Sequence, residues 1–255
     1  MSFWATLKKW TVKSVETVAE PLLLVKPAVE RAGELFHLVH RPADYIGRTL
    51  SGVNELQGGD VLVKYTDGTA SNIAIEEAQE QGLWVNKPYW FVHAAFVDSS
   101  HNALEMSANG LVLNTLAKHN REYSYEVFRI KKPTVARKVR ELVDALAQKV
   151  DRKEHAVSYN YWELVKSFAN FDKMVTLDEF KVGYDNMKQG KGNEKYYCSQ
   201  FIVWLSEGAR LESNAEKIWG DLSSVHVAPS ELIWRLKFHL ADHWEHVGHL
   251  EAGKR

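Results

Sequence analysis

The first part of the chain carries apolar side chains at a helical spacing. Phe3, Leu7 and Trp10 recur three or four residues apart, and a second helical segment covers residues 28–40. We therefore predict a helical N-terminal extension over residues 1–50. Its apolar face packs on the body of the protein or, because lysines accompany its tryptophans, lies on a membrane surface.

A strand-like pattern replaces the helical one after a Gly-Gly turn. Apolar runs at residues 61–65, 90–97 and 123–130 predict strands, and the second of them lacks the alternation expected of a half-exposed strand. The polar stretch 98–102 predicts a tight turn into a further strand at 103–107. The second run and this further strand therefore form an antiparallel hairpin.

The hairpin turn determines which side chains share one face of its two strands. With the turn centred near Ser100, His93 lies opposite Ser107, and Glu105 is its diagonal neighbour on the same face. A carboxylate there fixes the tautomer of an imidazole and stabilises the imidazolium, as a catalytic base requires. The alternative is a buried core histidine, and a one-residue slip would put Glu105 on the other face.

The single cysteine, Cys198, follows a glycine- and lysine-rich loop at 189–193. The apolar run at 195–205 predicts a short buried helix that stops at Gly208. A thiol in the first turn of a helix faces unpaired N–H groups and the positive end of the helix dipole, which favour the nucleophilic thiolate. The alternative is a small buried apolar residue without chemistry.

Further helices are predicted from the same kind of spacing. One covers residues 71–81, another begins at Ser158, and Thr134 caps an amphipathic helix that reaches Val150. Residues 170–192 have mixed character, and whether they form a lid over a site stays open at this point.

The C-terminal segment is also predicted as a helix. Its apolar stripe consists of Leu232, Leu236, Leu240, Trp244 and Val247. Histidines recur beside this stripe at a spacing that can chelate a metal, and these are His239, His243, His246 and His249. Because no cysteine or close carboxylate pair completes a ligand set, we predict no metal.

Composition narrows the classes of function. Of 255 residues, 45% are hydrophobic, which is ample for the core of a globular domain. The 32 basic and 33 acidic residues are interspersed, so the charge indicates no nucleic-acid surface. One cysteine excludes an intrachain disulfide. The longest aliphatic run, 22–25, is too short to span a membrane, and we expect no Sec signal peptide.

Six short motifs occur along the chain in a fixed order. They are Gly59-Asp60, His93-Ala94-Ala95-Phe96, Leu104-Glu105-Met106 with Gly110-Leu111-Val112, Tyr159-Asn160-Tyr161, Tyr196-Tyr197-Cys198-Ser199-Gln200 and Ala228-Pro229-Ser230-Glu231-Leu232. Together they resemble the circularly permuted branch of the NlpC/P60 papain-like superfamily, close to the YiiX/YebB-type hydrolases, in which the histidine precedes the cysteine. The resemblance covers residues 55–235.

The resemblance implies a permuted papain-like α+β fold, in which a small antiparallel sheet packs against the helix that begins at the cysteine. The catalytic domain would then cover residues 51–235, between the N-terminal extension and a C-terminal helical tail at 236–255. The chain departs from the family at Ala95, where many relatives have glycine, and at Gln200, where glutamate is common. Neither departure removes a reacting group.

The resemblance also implies a role for each site residue. Cys198 would be the nucleophile, His93 the base and Glu105 the residue that orients the base. The backbone N–H of Cys198 and the hydroxyl of Tyr159 would form the oxyanion hole, and Tyr161 fits nearly as well as Tyr159. Substrate-binding residues are not indicated, and no cofactor is implied.

The implied activity is a cysteine hydrolase that cleaves amide bonds, with peptidoglycan stem peptides as the favoured substrate. Since we expect no Sec signal peptide, the chain resembles an antibacterial effector delivered by a contact-dependent system such as type VI secretion. It would then be cytoplasmic in the producer, act in the periplasm of a target cell, and have a secretion carrier and an immunity protein as partners.

Two other classes of function stay open at this point. One is a lipid acyl or thioester hydrolase or acyltransferase, with the tryptophan-rich N-terminus on a membrane surface. The other is a non-catalytic interaction protein on the same scaffold, with Cys198 buried and inert. Reactivity of the thiol toward iodoacetamide distinguishes this last class from both enzymes.

Overall fold

The structure, a computed structural model, describes residues 45–66, 79, 90–107, 110–119, 121–154, 158–159, 177–189, 195–219 and 227–253. All of them belong to one compact unit that spans residues 42–255. Apart from residues 45–50, the predicted N-terminal extension lies outside the described residues. Apart from Gln79, so does the predicted helix at 71–81, and both stay predictions.

One six-stranded antiparallel sheet forms the centre of the described part, and the fold is α+β. Its strands are β1 (Val61–Tyr65), β2 (Phe91–Val97), β3 (Asn102–Ser107), β4 (Gly110–Thr115), β5 (Tyr125–Ile130) and β8 (Trp244–Leu250). Their order across the sheet is β4-β3-β2-β1-β5-β8. Two short strands, β6 (Ser158–Tyr159) and β7 (Lys195–Tyr196), pair in parallel beside it. The strands predicted at 61–65, 90–97, 103–107 and 123–130 are confirmed.

Both faces of the sheet are covered, which explains the continuous apolar character of β2. On β1, Val61 and Val63 belong to a core shared with the helices, whereas Leu62 belongs to a smaller core on the opposite face. This alternation is the two-residue period of a strand. The smaller core includes Leu50 and Leu56, which flank a 3-10 turn at Val53–Glu55.

Five α-helices are described, and two of them, at 133–151 and 198–212, supply most of the helical side chains in the large core. They are α1 (Leu116–His119), α2 (Pro133–Asp151), α3 (Leu177–Gln189), α4 (Cys198–Glu212) and α5 (Pro229–Trp234), the last continued by a π-helical turn at Arg235–His239. None of the helices in this part of the chain has the length and apolar character needed to cross a bilayer.

The start of α2 differs from the sequence prediction. Its buried side chains include the predicted stripe of Val135, Val139, Leu142 and Leu146. The predicted cap at Thr134 is wrong, because the helix begins one residue earlier. Pro133 occupies the first helical position, where its missing N–H costs no hydrogen bond, so Thr134 lies inside the first turn.

Helix α4 is longer than predicted, because Gly208 does not stop it. A Cβ atom at Gly208 would lie 2.0 Å from the ring of Tyr184 on α3. The glycine therefore provides the space in which two helices approach each other closely, and the helix continues to Glu212. The stop signal and the packing signal of a glycine look alike in a sequence.

The predicted C-terminal helical tail at 236–255 is wrong. After the π-helical turn, residues 244–250 form β8, which pairs with β5 along its whole length. On its other side β8 meets residues 48–50 through hydrogen bonds from His249 N to Arg48 O (2.7 Å) and from Leu50 N to His249 O (2.8 Å). Long-range pairing on two sides overrides the local helical spacing.

Candidate active site

The β2–β3 hairpin places His93 and Glu105 on one face of the sheet. Ala95 pairs with Glu105 and Phe96 with Leu104, which confirms the register predicted from a turn centred at Ser100. His93 is therefore a diagonal neighbour of Glu105, and its Nε2 lies 2.7 Å from Glu105 Oε2. The predicted carboxylate–imidazole pair is present.

Asp98 holds the turn that sets this register. Its Oδ1 accepts hydrogen bonds from the backbone N–H groups of Ser100 (2.9 Å) and Asn102 (2.7 Å). Its Oδ2 accepts a third from the side chain of Asn102 at 3.0 Å. An aspartate that binds the backbone two and four residues ahead stabilises a tight turn locally, so the hairpin does not slip.

Cys198 is the first residue of α4, and the start of this helix is anchored to β2. Phe201, one turn further along, packs edge-to-face on Phe96 with ring centroids 5.8 Å apart. The hydroxyl of Ser199 donates to the carbonyl oxygen of Val227. These contacts bring the side chain of Cys198 within hydrogen-bonding range of His93.

The electrostatics of the pair favour a thiolate beside an imidazolium. Burial lowers the pKa of His93, but the charges of Cys198 and then of Glu105 outweigh it and raise that pKa to about 10. Burial raises the pKa of the Cys198 thiol, yet the His93 imidazolium brings that pKa below its ordinary value, assisted by the backbone of Ala94 and Ser199. Both shifts favour the state in which the proton lies on His93 and the sulfur is a thiolate.

Glu105 occupies both of its oxygens within this group. Oε2 binds His93, and Oε1 accepts a hydrogen bond from the Asn114 amide on β4. Burial opposes the charge, but His93, Asn114 and His119 hold the pKa of Glu105 at about 2. We call Cys198, His93, Glu105 and Asn114 the thiol cluster.

Asn114 was not among the predicted site residues, although the sequence contains a signal for it. On the β3–β4 pair Glu105 lies opposite Val112, so Asn114 is its diagonal neighbour. His93 has the same relation to Glu105 one strand away. The same diagonal relation, considered for the β3–β4 pair, identifies the Asn114 amide as a partner of the Glu105 carboxylate.

Tyr159 is described only in its backbone. Strand β6 pairs with β7 so that Tyr159 lies beside Tyr196, two residues before Cys198. The structure thus brings the main chain at Tyr159 close to the start of α4. The side chain of Tyr159 and all of Tyr161 lie outside the described residues, so the hydroxyl of the oxyanion hole stays a prediction.

Two of the C-terminal histidines bind a carboxylate. His246 Nε2 lies 2.6 Å from Glu126 Oε2, and His249 Nδ1 lies 2.7 Å from Glu126 Oε1. Tyr65 Oη donates to Oε1 at 2.8 Å. We call Glu126, His246, His249 and Tyr65 the clamp cluster, since it joins β1, β5 and β8. In the described ranges no group of three or more His, Cys, Asp or Glu residues is placed to hold a metal ion.

Access to the sulfur is the feature of the thiol cluster that limits its chemistry. The side chain of His93 is 20% exposed and that of Glu105 is 13% exposed, whereas Cys198 is fully buried at 0%. The imidazole therefore meets solvent, and the sulfur does so only if a neighbour moves.

Comparison of the chain with protein-family models, with curated proteins and with solved structures finds no match.

Proposed function

We propose that this chain is a cysteine hydrolase with Cys198 as nucleophile, His93 as acid and base, and Glu105 as the orienting residue. The observation that carries the proposal is the continuous chain of contacts from the sulfur through the imidazole to the carboxylate. A nucleophile, a base and a third group that orients the base is the arrangement of covalent hydrolases.

The proposed reaction begins from the ion pair. Because Glu105 binds Nε2 of His93, Nδ1 is the ring nitrogen left for Cys198. The thiolate attacks the carbonyl carbon, a C–S bond forms, and the C–N bond breaks as Nδ1–H protonates the leaving amine. Water then attacks the thioester carbonyl and gives a proton to His93. The C–S bond breaks, the carboxylic acid product leaves, and the thiolate–imidazolium pair is restored.

Backbone geometry supports the oxyanion part of the proposal. Cys198 opens α4, and the first N–H groups of a helix have no partner within the helix. No side chain of the N-cap residue Tyr197 binds them. Such donors stabilise the negative oxygen of a tetrahedral intermediate, and each is worth about 3 kcal/mol of barrier.

For fold family and substrate, we propose a permuted papain-like domain of the NlpC/P60 type that cleaves amide bonds in peptidoglycan stem peptides. Support comes from the order of the six motifs and from a sheet that carries the histidine and packs on the helix that starts at the cysteine. We further propose that the protein acts on peptidoglycan as a secreted effector.

The test compares wild type with Cys198→Ala on isolated peptidoglycan, with soluble products identified by mass spectrometry. We expect stem-peptide fragments from wild type alone. Fragments released equally by both proteins would contradict the assignment of the nucleophile. If neither protein releases fragments while Cys198 alkylates rapidly, acyl lipids become the substrate to test.

The burial of Cys198 favours a second candidate, a non-catalytic interaction protein. A thiol with 0% exposure is typical of an inert core cysteine. Alkylation separates the two candidates, because a reachable thiolate reacts with iodoacetamide well below pH 8.5, whereas an inert thiol stays protected until the protein unfolds. Protection over that pH range would replace the hydrolase with the interaction protein.

A further inference from the structure

A groove of about 270 Å³ lies away from the thiol cluster, between the turn that precedes β1 and the first half of α2. Its walls are the turn 57–60, the end of β5 and the α2 side chains that face them. Val61, next to this turn, pairs with Phe96, whereas His93 pairs with Lys64. The groove and His93 are therefore separated by roughly 10 Å along the strands.

Four cationic side chains line the groove, against one carboxylate. Asp60 accepts from Arg129 Nε and Nη2, both at 2.7 Å, so this carboxylate neutralises Arg129. Lys131 Nζ donates to the carbonyl oxygen of Ala241 at 2.6 Å, which leaves its charge uncompensated. The remaining two are Arg137 and Arg140.

These two arginines have little or no pairing. Arg137 Nε is 3.9 Å from Glu141 Oε1, and both side chains are largely exposed. Arg140 makes no hydrogen bond or ion pair with any described residue. Its stem is nevertheless held in place, because a Cβ atom at Gly58 would lie 2.8 Å from Arg140 Cγ. The glycine lets the arginine lie across the turn, with a guanidinium that no described residue pairs.

Two other cations on and next to α2 are paired with carboxylates. Lys138 Nζ lies 2.8 Å from Glu212 Oε2, and Lys132 Nζ lies 3.4 Å from Glu216 Oε2. At the groove, by contrast, Lys131, Arg137 and Arg140 have no carboxylate of a described residue at hydrogen-bonding distance, and their charges repel one another. A bound anion would relieve that repulsion.

We infer that the groove is a binding site for a phosphate group. Guanidinium forks match phosphate oxygens in bidentate geometry, and an ammonium adds a compact charge. The volume lies below the roughly 300–1,000 Å³ of pockets that enclose drug-sized ligands, so one phosphate or diphosphate fills it. The group comes either from a soluble molecule or from a phospholipid headgroup.

The test measures binding of inorganic pyrophosphate to the full chain by titration calorimetry at physiological salt. We expect wild type to bind with Kd below about 1 mM and the double variant R137Q/R140Q to bind at least about tenfold more weakly. The matched control is K132Q/K138Q, which removes two charges from the same region and should bind within about twofold of wild type. An equal loss in both variants would mean general electrostatic attraction and overturn the site.

A second arm identifies the source of the phosphate. The same proteins are sedimented with vesicles of phosphatidylcholine that contain or lack phosphatidic acid. Binding that needs phosphatidic acid and is lost in R137Q/R140Q but retained in K132Q/K138Q supports a headgroup site. Pyrophosphate binding without vesicle binding supports a soluble ligand. No binding in either arm up to about 10 mM phosphate groups overturns the inference.

Discussion

The thiol cluster and the clamp cluster both pair a carboxylate with histidine, and they differ in the groups that complete the pair. In the thiol cluster Glu105 receives two side-chain donors, His93 and Asn114. The second nitrogen of His93 is left for Cys198, whose negative charge favours the imidazolium. This cluster therefore ends on a thiol, next to an imidazole that meets solvent.

The carboxylate of the clamp cluster has a hydrogen-bond donor at each of its acceptor positions. Glu126 is fully buried and accepts four hydrogen bonds, from His246, His249, the Tyr65 hydroxyl and the backbone N–H of Gly47 at 3.0 Å. Four donors fill the lone-pair positions of a carboxylate. A glutamate and histidine thus stabilise the fold in the clamp cluster and can take part in chemistry in the thiol cluster. The difference depends on which group lies at the second nitrogen of the histidine ring.

Removal of the sulfur should have the largest effect on activity and almost none on stability. Cys198→Ser keeps the size of the side chain but not its nucleophilicity, so we expect kcat/KM on peptidoglycan to fall by at least about 10⁴-fold. The unfolding midpoint in urea should stay near that of wild type. The comparison variant is His246→Gln in the clamp cluster. We expect it to keep the activity of wild type when it is assayed at a low temperature at which it is folded.

Removal of the clamp carboxylate charge should have the largest effect on stability. Glu126→Gln puts an amide donor opposite existing donors in a fully buried place, so we expect a loss of about 3 kcal/mol in the free energy of unfolding. Glu105→Gln is the matched change in the thiol cluster and should cost less, because Glu105 has two donors and partial exposure. Equal costs in urea unfolding would contradict the comparison.

Acid should weaken the thiol cluster in a defined range. The pKa of Glu105 is lowered to about 2, so its contribution is present above about pH 4.5 and is lost as the pH falls through 2. With allowance for its exposed fraction we expect about 2 kcal/mol. The measurement is the difference in unfolding free energy between wild type and Glu105→Gln from pH 5 to 2, which should shrink as the pH falls. A constant difference would exclude the ion pair.

Loss of the Asn114 amide should have the smallest effect. Asn114→Ala removes one hydrogen bond from Glu105, so we expect about a tenfold loss of activity and a rise in the pKa at which Cys198 alkylates. Thr115→Ala, at the exposed end of the same strand, is the control and should change neither. A loss of activity with an unchanged alkylation profile would place Asn114 outside the chain of contacts to the thiol.

Local signals predicted one half of the thiol cluster well. Turn residues and a two-residue period determine the β2–β3 register, so the His93–Glu105 pair followed from a few neighbouring positions. The placement of Cys198 at a helix start also followed from a loop and an apolar run. The position of this helix start beside His93 depends on contacts between distant segments. Only the family resemblance implied it.

Long-range contacts explain what the sequence did not predict. The apolar spacing of residues 232–247 fits a helix, yet β8 forms because β5 and residues 48–50 offer partners on both sides. The clamp cluster went unpredicted for the same reason, since Glu126 gave no local signal that His246 and His249 would meet it. Gly208 shows that a glycine can mark close packing inside a helix as well as its end.

The pairing of β8 with β5 also bears on when this protein can fold. Glu126 and His249 are 123 positions apart, so a ribosome makes β5 long before the strand that covers it. Until β8 emerges, the nascent chain carries an open sheet edge and an unpaired carboxylate at its centre. Completion of the sheet therefore waits for the last strand, and the partly made chain is the form most exposed to aggregation and to chaperones.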